Sequence, residues 1–127
     1  MHFSTFLASI VLIFSLTCCS AQSGGTVDVP TLKAELAKGK VQLVDVRTPQ
    51  EWSTGHIAGA THIDWFSDDF KARVSKLNKM EPVRLYCASG GRSVEAREML
   101  KQMGFKDVLD LDNGIQAWKR SGGGVVK

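Results

Sequence analysis

The 127-residue sequence lacks several features by which common classes of protein are identified. It has no run rich in lysine and arginine, and its net charge of +3 is mild, so nucleic-acid binding has little support. It has no CxxC pair or similar ligand spacing, which argues against a zinc site. No internal repeat is visible. These absences leave a single globular domain of ordinary composition as the expectation.

Charged side chains are absent from residues 1–21, MHFSTFLASIVLIFSLTCCSA, and the 16 basic and 13 acidic residues all follow. The apolar stretch from Phe3 to Leu16 is shorter than the roughly 20 residues that a membrane-spanning helix needs. It is typical of an export signal, and small residues suited to cleavage follow at Cys19 to Ala21. We therefore expect an exported, periplasmic protein.

The same segment leaves the mode of export open. Leu16-Thr-Cys-Cys19 resembles a bacterial lipoprotein signal, in which the first mature cysteine carries lipid. Residues 22–26 would then form a short flexible tether. A lipid anchor at Cys18 or Cys19, free secretion, an uncleaved anchor and a misassigned start codon are the alternatives. Only the lipid anchor would tie the mature domain to a membrane after cleavage.

Cysteine is scarce, with three in the chain. Loss of residues 1–21 would leave one thiol, Cys87, which cannot close an internal disulfide. That thiol is therefore either buried and inert or held free for chemistry.

Strands and helices alternate along the rest of the chain. The apolar spacing and the Gly and Pro positions predict strands at 41–46, 61–63, 83–86 and within 105–111. Helices are expected at 29–39, from Thr48, at 66–78, from the loop after Cys87 to about 103, and at 115–120. We expect Ser67 to cap the helix at 66–78, and Val94 to face the core from the helix that follows Cys87. This order favours an α/β fold with a central, mainly parallel sheet flanked by helices. Ligands of such sheets bind beyond the carboxyl ends of the strands, where Cys87 is placed.

The segment YCASGGRS, Tyr86–Ser93, combines features that activate a thiol. A helix N-terminus and a nearby cation both lower the pKa of a cysteine, and here a helix start and Arg92 follow Cys87. Small residues between them let successive backbone N–H groups point inward as an anion-binding nest. We expect Cys87 to be catalytic and the substrate-binding residues to be Ala88, Ser89, Gly90, Gly91, Arg92 and Ser93.

Two reactions use such a cradle: phosphate-ester hydrolysis through a cysteinyl phosphate, and sulfur transfer through a cysteine persulfide. Cysteine phosphatases have five residues between cysteine and arginine, whereas four, Ala88 to Gly91, intervene here. The smaller ring suits a single outer sulfur atom.

Three segments together resemble the rhodanese family. Val44–Ala60, VDVRTPQEWSTGHIAGA, is similar to its first signature, Cys87–Ser93 to its active loop, and Gly114–Trp118 to its C-terminal signature. The resemblance implies a single rhodanese-like domain over residues 27–127. Three departures are visible: Ala88 stands where arginine is common, Asn113 where glycine is usual, and Trp52 where phenylalanine is usual. Asparagine tolerates positive φ, so we expect the turn at Asn113 to persist.

The resemblance also implies a mechanism. Cys87 would attack the outer sulfur of a small anionic donor such as thiosulfate, and cyanide or a thiol would then accept the sulfur from the persulfide. Arg92 would hold the sulfonate end of the donor, and no metal or organic cofactor is implied. The alternatives are a non-enzymatic binding or sulfur-sensing module and a cysteine phosphatase or arsenate-reductase-like enzyme.

Other polar and aromatic residues have structural interpretations. Asp45, Arg47 and Glu51 are expected to form an ion pair or capping arrangement beside the loop. His56 is expected to fix its turn, and a metal set of His56, His62 and Cys87 is disfavoured. Trp65 is expected to border the pocket or lie in the core. Trp118 is expected in the core.

Overall fold

A computed structural model of the chain describes residues 24–127, so the expected export signal and the lipid-anchor cysteines lie outside the described residues. The strands are β1 (Thr26–Val27), β2 (Gln42–Asp45), β3 (Thr61–His62), β4 (Val83–Tyr86) and β5 (Val108–Leu111). The helices are α1 (Val29–Lys38), α2 (Pro49–Ser53), α3 (Phe70–Val74), α4 (Gly91–Gln102) and α5 (Gly114–Arg120). Between residues 24 and 127, no helix has the length and apolar character needed to cross a bilayer.

The strands form one sheet in the order β1-β5-β4-β2-β3, and all four pairings are parallel. The α/β fold with a parallel central sheet is thereby confirmed. β4 lies in the middle of the sheet, between β5 and β2. Thr26, which we placed in the tether, belongs instead to β1 and pairs with Asp110 of β5.

Two apolar clusters fill the two faces of the sheet. One contains Val74 of α3 and Leu100 of α4, and the other contains Leu32 of α1 and Trp118 of α5. The sheet therefore lies between two helical layers, as the near-continuous apolar strands require.

Local sequence features fix where α2 and α5 begin. Thr48 and Glu51 form the expected capping box at the start of α2, with side chain and backbone bonded in both directions. Asn113 adopts φ of 57° immediately before α5, which confirms that asparagine sustains this turn.

The prediction of a helix over 66–78 was wrong, because α3 covers only Phe70–Val74 and Ser67 is not its cap. The carboxylate of Asp64 accepts the N–H of Phe66, and the Ser67 hydroxyl donates to Asp69. Such side-chain bonds compete with helix formation. Phe66, which stands at helical spacing with Phe70 and Val74 in the sequence, is 67% exposed.

Val94 was also expected to face the core, and it is exposed. The neighbouring Ser93 is fully buried in the first turn of α4. Since consecutive residues of a helix point in different directions, Val94 is turned outward.

Candidate active site

Cys87 directly follows β4 and precedes the loop that leads into α4. Because β4 is central, the thiol lies over the middle of the carboxyl edge of the sheet. Cys87 is 1% exposed and packs in the apolar cluster beneath α3 and α4. The position expected for a ligand site in an open parallel sheet is therefore occupied by this cysteine.

The start of α5 holds the first two loop residues through their carbonyl groups. The N–H of Ile115 donates to the carbonyl of Cys87 at 2.9 Å, and the N–H of Gln116 donates to that of Ala88 at 3.2 Å. Gly114 lies against both carbonyls, and a Cβ there would be 2.5 Å from the oxygen of Cys87. Because these carbonyls turn toward α5, the N–H groups that follow are free to turn toward the sulfur.

Two groups of the loop contact the sulfur. The N–H of Gly90 donates to Sγ of Cys87 at 3.1 Å, and the hydroxyl oxygen of Ser93 lies 3.5 Å from Sγ. Gly90 has φ of 119°, a conformation that residues with side chains rarely adopt. The structure thus brings two of the expected loop residues to the sulfur, and their part in binding a substrate stays a prediction.

The hydrogen bonds outweigh the burial of the thiol. Burial alone would raise the pKa of Cys87 because it disfavours a charged sulfur. The side chain and backbone of Ser93 and the backbones of Gly90 and Ser89 act in the other direction, and the net pKa lies below the ordinary value for cysteine. The site therefore favours the thiolate, which is the nucleophilic form.

Arg92 is held by a carboxylate of α2. Its two terminal nitrogens donate to the two carboxylate oxygens of Glu51 at 2.7 Å and 2.8 Å. This ion pair, together with the Thr48 bonds, lowers the pKa of Glu51 to about 2. The charge of Cys87 is among the interactions that raise the pKa of Arg92, so the guanidinium lies within electrostatic range of the sulfur. Its contact with a donor stays a prediction.

Asp45 and Arg47 form a buried ion pair at the end of β2, with a nitrogen–oxygen distance of 2.7 Å. The same nitrogen of Arg47 donates to the carbonyl of Gly55 at 2.7 Å. The hydroxyl of Tyr86 accepts the N–H of Ile57 at 3.1 Å. The structural interpretation of Asp45 and Arg47 is thus confirmed, since they fasten the turn around residue 56 to the central strands.

His56 and His62 belong to an aromatic stack. The ring of His56 lies 3.4 Å from that of Trp52, and His62 stacks on Trp52 at 4.9 Å. His56 also pairs through its backbone with Val126, which supports the expectation that it fixes the turn. Across residues 24–127 no group of three His, Cys, Asp or Glu is arranged to hold a metal ion.

The two remaining tryptophans pack against opposite faces of the sheet. Trp118 is buried in the cluster beneath α1 and α5, as expected, and its indole N–H donates to the carbonyl of Gly124 at 2.9 Å. Trp65 is partly buried, packs against the cluster that contains Cys87 and meets Phe70 edge to face. A separate groove of about 520 Å³ is lined by residues outside the active loop: Lys71, Lys79, Met99, Gln102 and Met103.

Sequence reasoning missed two residues near the sulfur. Asp110 of β5 is 1% exposed and accepts a hydrogen bond from the Ser93 hydroxyl at 3.3 Å. Arg97 of α4 pairs with the other oxygen of Asp110. An acidic residue inside the apolar strand VLDL was the signal that pointed to a buried partner.

Known proteins resemble this chain over most of its length. The family model described as a rhodanese-like domain matches residues 28–121, which is most of the chain. A probable adenylyltransferase/sulfurtransferase, MoeZ, of Mycobacterium tuberculosis is 38% identical over 101 residues. That match covers 79% of this chain but only 26% of the mycobacterial protein.

Solved structures show the same fold. A rhodanese-related protein from Thermoplasma volcanium superposes with a TM-score of 0.72 at 28% identity, covering 81% of this chain and 98% of that one. A human single-domain sulfurtransferase superposes with a TM-score of 0.66 at 25% identity, covering 76% of this chain and 96% of its own. The likeness therefore extends over nearly the whole of both solved chains.

Proposed function

The chain belongs to the rhodanese-like domain family, and from this premise we propose that it is a sulfurtransferase in which Cys87 carries the transferred sulfur. The observation that supports the proposal most directly is the thiol itself. It is buried, it accepts the N–H of Gly90, and its pKa is lowered by the loop around it. A nucleophile of this kind divides one difficult transfer into two easier steps.

In the first step the thiolate of Cys87 attacks the outer sulfur of a donor such as thiosulfate. A bond forms between Sγ and that sulfur, the bond from that sulfur to the sulfonate breaks, and sulfite leaves with the electron pair. The negative charge then resides on the outer sulfur of a persulfide. Loop N–H groups suit such an anion, because they need no reorganisation as the charge moves outward.

In the second step an acceptor attacks the outer sulfur, and the thiolate of Cys87 leaves. With cyanide the product is thiocyanate, and with a thiol it is the persulfide of that thiol. The sulfur changes carriers without any external oxidant or reductant, so the two half-reactions balance.

The donor contacts follow from the charges around the loop. We assign the sulfonate end of the donor to Arg92, which Glu51 orients, and the transferred sulfur to the loop from Ala88 to Ser93. Ala88 adds no charge where relatives often have arginine, so we expect thiosulfate to bind more weakly than in those relatives. A different anionic donor is accordingly part of the proposal.

The test is the intact mass of the purified domain before and after thiosulfate, alongside Cys87→Ser. We expect a gain of one sulfur atom that dithiothreitol reverses and that the variant does not show. No gain with thiosulfate or 3-mercaptopyruvate, on a thiol shown to be free, would overturn the proposal. Release of phosphate from an aryl phosphate would then favour phosphatase chemistry, and full cellular function of Cys87→Ser would favour a binding or sensing module.

We also propose that the chain is exported to the periplasm, on the strength of the uncharged segment 1–21. Cell fractionation of a C-terminally tagged chain tests this, with detergent phase partition to detect lipid. Periplasmic protein in the aqueous phase indicates free secretion, and protein in the detergent phase indicates lipid at Cys18 or Cys19. Full-length protein retained in the cytoplasm would overturn the proposal.

A further inference from the structure

The Ser93 hydroxyl lies among three acceptors but has one proton to donate. Its oxygen is 3.5 Å from Sγ of Cys87, 3.3 Å from a carboxylate oxygen of Asp110 and 3.3 Å from the carbonyl of Gly90. All three acceptors compete when Cys87 is a thiolate. The direction of this one O–H therefore depends on which acceptor carries the most available negative charge.

Asp110 is fixed in this competition by its surroundings. It is 1% exposed within the apolar strand β5, and Arg97 of α4 binds the carboxylate oxygen that does not face Ser93. Arg97 also donates to the carbonyl of Gly25 at 3.1 Å, and the N–H of Asp110 donates to the same carbonyl at 3.1 Å. A buried carboxylate held so firmly has no use in the sulfur-transfer steps described above.

We propose that Asp110 is a positioning residue that competes with the sulfur of Cys87 for the proton of the Ser93 hydroxyl. The inference rests on the proposed function. In the free enzyme the thiolate and Asp110 share the hydroxyl proton, so the sulfur receives only part of this hydrogen bond. After transfer the charge lies on the outer sulfur, Sγ is a neutral bridging atom, and the hydroxyl turns to Asp110. One O–H rotation thus adapts the site to both states of the carrier.

The charged groups around Asp110 determine whether its removal should raise or lower the pKa of Cys87. Arg97 faces Asp110 from α4, and Cys87 lies beyond Ser93. Within the sheet, Thr26 of β1 and Leu85 of β4 lie beside Asp110. With Arg97 bound, Asp110 acts as an acceptor and draws part of this hydrogen bond away from the thiolate. Removing that acceptor should therefore stabilise the thiolate, which is the opposite of what a general base would do.

The experiment measures the pKa of the Cys87 thiol from the pH dependence of its alkylation by iodoacetamide, with no sulfur donor present. In Asp110→Asn the amide still accepts from Arg97 and now donates to Ser93, which frees the hydroxyl for the sulfur. We expect the pKa to fall by about 0.5, because the sulfur gains the share of one hydrogen bond that Asp110 had held. The exposed Asp112→Asn, two residues along the chain, is the matched control and should leave the pKa unchanged.

A double-mutant cycle separates the hydroxyl from a direct charge effect. In a Ser93→Ala background, Asp110→Asn should lose most of its effect on the pKa. An unchanged or raised pKa in Asp110→Asn overturns the proposal, as does an equal fall with and without the Ser93 hydroxyl.

A measurement on the unaltered protein applies even where Asp110→Asn does not fold. The carboxyl ¹³C resonance of Asp110 should shift as Cys87 ionises, and it should not do so in Cys87→Ala. A resonance that does not respond to Cys87 overturns the proposal. These measurements involve no sulfur transfer, so they are independent of the persulfide mass test.

Discussion

Glu51 serves two elements of the site with one carboxylate. It accepts the N–H of Thr48 at the start of α2 and binds both terminal nitrogens of Arg92 at the active loop. The pKa of Glu51 is lowered from 4.5 to about 2, with Arg92 as the largest cause. A carboxyl whose pKa is lower in the folded than in the unfolded chain stabilises the fold at neutral pH, and this stabilisation is lost as the pH falls.

The first prediction concerns Glu51→Gln. The side chains of the pair are 33% and 20% exposed, so we expect a modest loss in the free energy of unfolding, about 1 kcal/mol at pH 7. The loss relative to wild type should persist down to about pH 4.5, shrink below it and be largely gone near pH 2, where about half of the wild-type carboxylate is protonated.

Urea unfolding at a series of pH values measures this difference. Glu95→Gln, at an exposed position of α4, is the control and should change the free energy little at any pH. A difference between Glu51→Gln and wild type that stays constant from pH 7 to pH 2 would contradict the ion-pair explanation.

At the same scale, the sequence predicted which residues surround the sulfur better than it predicted what each of them contacts. The loop Cys87–Ser93 was recognisable because its residues are contiguous and their types are characteristic. The partners of Arg92 and Ser93 come from α2 and β5, far away in sequence. Contacts of this kind depend on how elements pack, which local spacing does not encode.

Among the elements, α5 has a particular relation to the active loop. Its first N–H groups bind the carbonyls of Cys87 and Ala88, and Gly114 allows the close approach. The C-terminal signature therefore acts on the sulfur through backbone geometry. Because α5 follows β5, its first residues lie at the same edge of the sheet as Cys87.

The second prediction is that Gly114→Ala displaces the active loop. A Cβ would lie 2.5 Å from the oxygen of Cys87 and 2.6 Å from that of Ala88, and both are backbone atoms that cannot move alone. We expect a loss of about 2 to 4 kcal/mol in the free energy of unfolding and slower sulfur transfer per folded molecule.

Gly122→Ala is the control for this variant. Gly122 also has positive φ, at 81°, but nothing lies within 4 Å of a Cβ there. We expect it to cost about 1 kcal/mol and to leave the transfer rate unchanged. Equal effects of the two variants would show that backbone strain, and not contact with the loop, explains Gly114.

Element prediction failed where side chains bind the nearby backbone. The spacing of Phe66, Phe70, Val74 and Leu77 is helical, but turns occupy most of that segment outside α3. Asp64 binds the N–H of Phe66, so the chain enters α3 through polar turns. Apolar periodicity alone does not reveal where side chains compete with the helix for backbone hydrogen bonds.

At the scale of the whole molecule, parallel topology was predictable because strands and helices alternate over most of the chain. The exceptions lie near the two ends of the described chain. β1 has two residues, too few to show periodicity, and the sequence predicted no element after residue 120. Instead, His56 and Val126 exchange backbone hydrogen bonds of 2.9 Å and 2.8 Å.

The third prediction is that removal of residues 122–127 weakens the fold without altering the thiol. The deletion removes the two backbone bonds at His56 and the bond from the Trp118 indole to Gly124. We expect a loss of about 1 to 3 kcal/mol in the free energy of unfolding. The pKa of Cys87 should not change, because its loop is bound by α5.

Thermal or urea unfolding together with alkylation measures both quantities. Removal of Lys127 alone is the control and should have little effect on either. A truncated chain with full stability would contradict the role assigned to the terminal residues, and a changed thiol pKa would show that they influence the active loop.

If the proposed function is right, the burial of Cys87, at 1% exposed, also restricts what can exchange sulfur with it. A small anion such as thiosulfate or cyanide can approach an atom recessed below the loop, whereas a broad, flat protein surface meets the rim first. A macromolecular acceptor must therefore present its sulfur at the tip of a narrow extension, such as a terminal cysteine or a thiol on a flexible chain. The depth of the sulfur atom thus selects acceptors by their shape, before differences in their chemical reactivity can affect the rate.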